Sequence, residues 1–260
     1  MSIYHTANRF VLFVVWTLVM LTNAVNAQTL LESSAEARYQ LDLQVSQSAL
    51  QKFIPEGWST NVSTEGASKD ANLRVIFIER LTINGPDGKP VGDGSNLLVY
   101  LTVPVRNPAG EEAQLVIGGI TEDPADAPGP FDVYLPATTH TFKRTTSSGS
   151  GPIIETQDWK FATATGEHAE MSITFERAVA TRRPARDTLF YSAMNPEIYQ
   201  ISSQQQVLDI MRNVTTEPVD RVHEFSFKAG GGSFADLFDG AEKILSWDNI
   251  IWVNREVYLP

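Results

Sequence analysis

The pattern that most constrains the fold is a succession of short segments in which apolar residues alternate with polar ones. Tyr39–Val45 has an apolar residue at every second position, and Met171, Ile173 and Phe175 alternate with charged and hydroxyl side chains. Such alternation is typical of a strand with one buried face. Turn-forming residues separate these segments, as in Asn84–Gly88. The sequence therefore predicts a protein built mainly of β-strands.

Further apolar segments raise the number of predicted strands to about ten, a pattern that suggests a sandwich or a barrel. The strongest are Leu73–Ile83 and Leu97–Val105, and residues 153–177 read as a hairpin. Hairpin connections favour antiparallel pairing. We therefore expect a mainly β (α+β) fold, an antiparallel β-barrel or barrel-like sandwich with short peripheral helices.

Three segments have the spacing or the end signals of those short helices. They are Ser46–Ile54, which ends at a proline and glycine turn, Ser203–Asn213, with Val207, Ile210 and Met211 on one face, and a helix that starts at Ser233. Thr181–Arg186 contains three arginines and is predicted to be a loop. The chain shows no repeat of fixed period and no long linker, so residues 28–260 are predicted to form a single β-barrel-like domain.

The first 27 residues have the order of a cleaved signal peptide. A short polar start, Met1–Arg9, precedes the apolar run Phe10–Thr22, and Val25 and Ala27 place small residues before a cleavage point. The run is too short to span a bilayer easily, since a spanning helix takes about 20 residues. We expect cleavage before Gln28, a periplasmic or secreted protein, and no stable membrane insertion after cleavage.

Composition excludes several classes of function. The chain has no cysteine, which rules out thiol catalysis and cysteine-based zinc sites. Its net charge of −11 repels phosphate backbones, so no nucleic-acid partner is expected. The histidines at 140, 168 and 223 do not form a zinc-binding spacing, so no metal or cofactor is predicted, although strands distant in sequence could still bring them together. The oligomeric state does not follow from the sequence.

One predicted strand, residues 138–146, carries two adjacent cations. Lys143 alternates with threonines, and Arg144 follows it directly. If Lys143 faced a barrel interior, lost solvation and the neighbouring charge would lower the pKa of its amine, which could then form a Schiff base with a carbonyl compound. The alternative is an ordinary strand whose threonines and lysine face solvent.

Several motifs resemble the acetoacetate decarboxylase-like superfamily. Residues 49–57 resemble a short helix that ends in a Pro-x-Gly turn near the start of that family, and Leu73–Ile83 and Tyr100–Val105 resemble its first barrel strands. Lys143 and Arg144 stand about where the family has its Lys-Lys pair. The family motif Glu-x-x-Gly-x-Pro before that pair is absent, since residues 135–142 read Leu-Pro-Ala-Thr-Thr-His-Thr-Phe.

The resemblance implies a β-barrel with short peripheral helices, with Lys143 as the Schiff-base lysine and Arg144 as its cationic neighbour. The sequence would equally suit a lipocalin-type barrel, which binds apolar ligands in its interior. In either barrel the candidate ligand contacts are aromatic residues of the predicted strands, namely Tyr100, Phe142, Trp159 and Phe161.

Three functional hypotheses follow from these observations. The first is an exported protein that binds an apolar or amphipathic small molecule in a β-barrel interior. The second is a Schiff-base lyase of the acetoacetate decarboxylase-like kind, which would use Lys143 on a keto-acid-like compound. The third is a non-catalytic structural or assembly factor of the cell envelope that has no pocket.

Overall fold

The computed structural model describes residues 28–129, 131–216 and 218–259. The predicted signal peptide, residues 1–27, lies outside the described residues. Within them, no helix is long and apolar enough to cross a membrane.

Seven strands pair side by side in a closed ring, which forms an irregular β-barrel. Every neighbouring pair in the ring is antiparallel except one, the parallel pairing of residues 113–116 with residues 189–192. In ring order they are β1 (Thr29–Gln44), β3 (Leu73–Asn84), β4 (Asn96–Arg106), β5 (Glu112–Thr121), β9 (Thr181–Ser192), β10 (Tyr199–Asn213) and β13 (Lys243–Leu259).

Four further strands form an outer sheet against one side of the ring. They are β6 (Tyr134–Ser147), β7 (Ile154–Thr163), β8 (His168–Glu176) and β12 (Val222–Gly230), paired in that order. A short parallel pairing of residues 119–121 with residues 134–136 joins β6 to β5. The remaining elements are small: β2 (Ser59–Thr60), β11 (Val219–Asp220), helix α1 (Gln47–Leu50) and two 3-10 turns, Pro124–Asp126 and Gly232–Phe234.

The junction between barrel and outer sheet depends on the absence of a side chain at Gly119. A Cβ there would lie 2.6 Å from the Tyr134 ring, and one at Gly118 would lie 2.9 Å from the Phe234 ring. Real Cβ atoms do not approach other atoms this closely. Gly119 therefore lets the first residues of β6 pair with β5, and Gly118 leaves room for the Phe234 ring.

An apolar layer lies between the barrel and the outer sheet. In the central parts of β1, β3 and β4 the odd-numbered residues point into it, among them Tyr39, Leu41, Phe77 and Leu101, and these four are almost completely buried. The outer sheet contributes Trp159, Phe161, Met171, Ile173 and Phe175 from its inner face. Because successive residues of a strand point to opposite faces, the even-numbered residues of the same barrel strands point into the barrel.

The predicted fold class is confirmed, with differences in detail. The structure is mainly β and barrel-like, with short helical elements. The described residues form thirteen strands, however, and two of their pairings, β5–β6 and β5–β9, are parallel. The helix predicted from Ser46 is shorter than expected and spans Gln47–Leu50.

Three other local predictions are wrong. Residues 203–213 belong to strand β10, because bulges after Val207 and Ile210 shift its alternation and imitate helical spacing. Residues 181–186 form the first half of β9, where one side pairs with β10. The segment at Ser233 forms only a 3-10 turn, which is anchored by its amide donating to Glu167.

Candidate ligand-binding site

A cavity of about 920 Å³, open to solvent, lies in the interior of the barrel. We call it the barrel cavity. Its inner wall is polar and comes from five strands, with Arg38, Gln40, Arg74, Tyr100, Gln114 and Gln204 among the lining residues. Residues 61–65 and residues 186–190 of β9, a sixth strand, also line it. A cavity of this size is in the range that holds small-molecule ligands in proteins.

A much smaller space, the deep pocket, continues from the barrel cavity past Arg38, Tyr100, Phe190 and Gln204. Its volume is about 20 Å³, enough for about one water molecule or methyl group. One wall is apolar and consists of Ile78, Val116 and Phe131, while Glu36, Arg38 and Arg255 form the other. The site is therefore amphipathic at its inner end.

Three buried arginines and two carboxylates form an ionic cluster on the charged wall, which we call the arginine cluster. Arg38, Arg80 and Arg255 are at most 6% exposed. Arg38 Nε donates to Glu36 Oε2 at 2.6 Å, and Arg255 Nη1 donates to Glu32 Oε1 at 2.8 Å. Arg80 also pairs with Glu32. Three guanidinium groups against two carboxylates leave the cluster one positive charge in excess.

Glu36 lies at the centre of the arginine cluster and is 1% exposed. Its Oε1 accepts a hydrogen bond from Ser34 Oγ at 2.7 Å, and Arg80 and Arg255 approach the same oxygen at 3.7 Å. Burial by itself would raise the pKa of this carboxyl. The charges of Arg38, Arg255 and Arg80 outweigh burial and lower the pKa of Glu36 to about 2.

Arg38 presents unused hydrogen-bond donors to the barrel cavity. Glu36 takes two of its N–H groups, and Gln204 Oε1 accepts a third from Nη1 at 2.9 Å. A guanidinium has five N–H donors, so two have no protein partner among the described residues. Burial would lower the pKa of Arg38, but Glu36 raises it, so the group keeps its charge.

Tyr100 and Tyr134 supply phenol groups near the deep pocket. Burial raises the pKa of both, so each remains a neutral phenol at physiological pH. Tyr134 donates to the carbonyl oxygen of Pro128 at 3.2 Å. Tyr100 lines both the barrel cavity and the deep pocket, and its role as a ligand contact stays a prediction.

A second charged group lies further along the inner wall, nearer the other end of β1. Asp42 Oδ1 accepts hydrogen bonds from Arg74 Nε and from Gln40 Nε2, both at 3.0 Å. Asp248 is also buried there, and Ser246 Oγ donates to it at 2.7 Å. Burial, with a contribution from the charge of Asp42, raises the pKa of Asp248 to about 7.

The other predicted site residues lie outside the barrel. Lys143 is exposed on β6, and Arg144 pairs with Glu79 at 3.4 Å. Phe142 stacks on Trp159 with ring centroids 3.7 Å apart, while Trp159 and Phe161 belong to the apolar layer. The structure thus separates Tyr100, on the cavity wall, from the other five. The catalytic role of Lys143 and Arg144 stays a prediction.

The residues that the sequence analysis missed are the charged members of the arginine cluster. Arg38 directly precedes the alternating segment that begins at Tyr39, and Arg80 interrupts the apolar run of β3. A charged residue at the inward position of a buried strand signals either a paired core ion or a ligand site. That signal was present, but it does not reveal that Arg38, Arg80 and Arg255 meet.

The histidines do not come together. His140 Nε2 lies 2.9 Å from Glu122, and His168 Nδ1 lies 3.3 Å from the carbonyl oxygen of Gly166. Among the described residues, no three histidine, aspartate or glutamate side chains are grouped as metal ligands would be.

Comparison with known proteins gives matches at the level of structure. No family model and no curated protein matches the sequence. An acetoacetate decarboxylase-like enzyme from Sphingomonas wittichii RW1 matches 88% of this chain and 92% of its own, with a TM-score of 0.51 and 12% identity. The chain has an acetoacetate decarboxylase-like fold. At 12% identity this similarity concerns the fold alone.

Two further structures are similar over comparable lengths. The enduracididine biosynthesis enzyme MppR, complexed with a condensation product of pyruvate and imidazole 4-carboxaldehyde, covers 91% of this chain and 90% of its own at 11% identity and a TM-score of 0.49. A structure of acetoacetate decarboxylase covers 92% of both chains at 12% identity and a TM-score of 0.43. The acetoacetate decarboxylase-like fold agrees with the family that the sequence motifs resemble.

Proposed function

We propose that the barrel cavity binds a small organic anion of the keto-acid kind, with its carboxylate on Arg38. The observation that carries this proposal is the arginine cluster, because a buried excess of positive charge beside an open cavity favours an anion. Arg38 adds hydrogen-bonding capacity to charge, since it lines the barrel cavity and two of its N–H groups have no partner among the described residues. Hydrogen bonds between a guanidinium and a carboxylate are stronger than those between two neutral groups.

The deep pocket supports an amphipathic anion. A ligand carboxylate on Arg38 would place a small apolar end next to Ile78, Val116 and Phe131. The polar wall of the barrel cavity argues against a wholly apolar ligand, which would leave Gln40, Gln204 and the guanidinium groups without partners. The first sequence hypothesis is thereby narrowed from an apolar or amphipathic molecule to an amphipathic anion. The presence of a cavity also argues against a structural factor without a pocket.

The similarity in fold supports a ligand of the same chemical kind. The Sphingomonas enzyme is described as acetoacetate decarboxylase-like, and acetoacetate is a keto acid. The two lines of support are independent, since one is the shape of the whole chain and the other is the charge of the cavity wall. Together they favour a keto acid over other small anions.

Isothermal titration calorimetry with levulinate, a stable keto acid, tests the proposal. We expect one site per chain in the native protein. In Arg38→Gln we expect the Kd to rise about 10- to 100-fold, because the ligand loses a charged hydrogen-bonding partner. Arg182→Gln is the matched control, because Arg182 is exposed on β9 and bonds only Gln205 among the described residues. Equal affinities of native protein and Arg38→Gln, or no binding to either, would contradict the proposal.

A second candidate is the Schiff-base lyase, which the similarity in fold favours. Because Lys143 is exposed on β6, its amine would meet the carbonyl compound outside the barrel cavity. Borohydride reduction with levulinate or pyruvate should then leave a mass adduct on Lys143 and not on Lys160, which is exposed on the neighbouring strand and paired with Glu170. Equal labelling of the two lysines, or labelling of neither, would count against a Schiff-base role.

We also propose that the protein is exported, on the basis of the order of residues in its first 27 positions. Mass spectrometry of the protein recovered from cell fractions tests this. A polypeptide that begins at Gln28 in the periplasmic or secreted fraction would agree with export. An intact N-terminus in the cytoplasmic fraction would contradict it.

A further inference from the structure

Arg74 places a second guanidinium on the wall of the barrel cavity, and most of its hydrogen-bond donors have no partner among the described residues. Its side chain is 29% exposed, and its Nε donates to Asp42 at 3.0 Å. Its two terminal nitrogens carry four N–H groups, and none of them has a partner among the described residues. These N–H groups of Arg74 are therefore available to a ligand in the barrel cavity.

The two guanidinium groups lie at different depths in the same cavity. In the pairing of β1 with β3, Arg38 is opposite Ile78, whereas Arg74 is opposite Asp42. Positions 74 and 78 on β3 are four residues apart, which corresponds to about 13 Å along the strand. A ligand that reaches both arginines is therefore longer than a simple keto acid of four or five carbons lying only at Arg38.

The wall between the two arginines suits a chain with some polar character. Gln40 and Ile76 lie side by side there in the β1–β3 register, and Tyr100 is opposite Ile76 on β4. All three line the barrel cavity. Its volume of about 920 Å³ also exceeds what one small acid would fill.

The acidic groups near Arg74 do not prevent an anion from binding. Asp42 is 1% exposed and is engaged by Arg74 Nε and by Gln40. The pKa of Asp248 is raised to about 7 by burial, so a large fraction of this carboxyl is neutral at physiological pH. Neither carboxyl occupies the terminal nitrogens of Arg74.

We infer that the natural ligand of the barrel cavity is an organic dianion with one acidic group on Arg38 and a second on Arg74. This inference rests on the proposed function and specifies its ligand class. The second group is a carboxylate or a phosphate, because a guanidinium fork matches the oxygens of both.

The test compares acids of equal length that have one or two charged ends. Affinities are measured by calorimetry for succinate, glutarate, adipate and pimelate, each beside the monocarboxylate with the same number of carbons. Native protein is compared with Arg74→Gln, and 5-phosphonopentanoate beside adipate, which has a chain of the same length, separates phosphate-type from carboxylate preference. Arg74→Lys keeps the charge but not the fork, and thermal unfolding confirms that each variant is folded.

We expect at least one diacid to bind ten or more times as tightly as its monoacid, and we expect Arg74→Gln to remove that advantage. Arg74→Lys should retain part of it. A diacid advantage that is absent, or that survives in Arg74→Gln, would overturn the inference. If monoacids still bind through Arg38 in that case, the proposed function stands, whereas loss of all binding in the native protein would contradict both.

Discussion

The two faces of the barrel strands differ in what they bury, although the residues alternate along the same chain. On β1, Tyr39, Leu41 and Leu43 enter the apolar layer, while Arg38, Gln40 and Asp42 point into the barrel. The outward face is packed with apolar side chains and contacts the outer sheet. The inward face lines a cavity whose wall includes charged side chains.

The apolar layer contributes most to the stability of the fold, whereas the interior of the barrel has room for a ligand. Burial of apolar side chains in the apolar layer lowers the free energy of the folded state, whereas buried ion pairs stabilise little, since desolvation offsets most of their attraction. The arginine cluster is therefore poorly explained as a stabilising device. Its excess positive charge is better explained by a ligand, and substitutions on the two faces should have separable effects.

The largest effect is expected in the apolar layer. Phe161 is fully buried there, and its ring centroid lies 6.3 Å from that of Phe77. Phe161→Ala should lower the free energy of unfolding by about 3–5 kcal/mol, measured by urea denaturation, because it removes a large buried ring and leaves a cavity. Levulinate affinity of the folded variant should not change. Phe142→Ala, at a partly exposed ring of the same sheet, is the control and should cost less.

Glu36→Gln tests the other face and should have the next largest effect. The substitution leaves three buried arginines with one carboxylate, so we expect a loss of about 3 kcal/mol at pH 7. Because the pKa of Glu36 is lowered to about 2, its ionised form stabilises the native protein fully above pH 4.5 and progressively less as the pH falls toward 2. The difference between native protein and variant should therefore shrink on acidification. A difference that stays constant down to pH 2 would contradict this role for Glu36.

Asp248→Asn should have a smaller effect of the opposite sign. The pKa of Asp248 is raised to about 7, so the folded protein holds this proton more tightly than the unfolded chain does. The native protein consequently loses stability as the pH rises from 5 to 8, and the variant is spared that loss. We expect the variant to be the more stable by on the order of 1 kcal/mol at pH 8. Urea denaturation at pH 5 and pH 8 measures the free energy of unfolding of both proteins. A difference between native protein and variant that is the same at the two pH values would refute the expectation.

The smallest effect is expected at Lys143. This side chain is exposed on the outer sheet, away from both the apolar layer and the barrel cavity. Lys143→Gln should change the free energy of unfolding by less than about 0.5 kcal/mol and should leave levulinate affinity unchanged. A tenfold loss of affinity would show that the binding site includes the outer sheet and would break the contrast drawn between the two faces.

The fold could be predicted from the sequence to the extent that alternation was visible. The arms of the β7–β8 hairpin alternate clearly, and Leu73–Ile83 is a long apolar run; both regions are strands in the structure. In β10, by contrast, bulges interrupt the alternation and its inward face is polar, so Val207, Ile210 and Met211 imitate a helix. The parallel pairing of β5 with β9 joins segments about 75 residues apart, which local patterns do not reveal.

The candidate site was harder to predict, because its parts are far apart in the chain. Lys143 attracted attention through an adjacent cation, whereas Arg38 gains its importance from Arg80, Arg255 and Gln204, which only the closed ring brings near it. Tyr100 was selected as an aromatic residue on a strong strand, and its even position on β4 places it on the cavity wall.

The most direct test of the central claim is a crystal structure of the protein soaked with levulinate. We expect electron density for the ligand inside the barrel, with its carboxylate oxygens within hydrogen-bond distance of the Arg38 guanidinium and its methyl end toward Phe131. Ligand density on the outer sheet with an empty barrel cavity would contradict it, and so would a cavity that has collapsed around the arginine cluster.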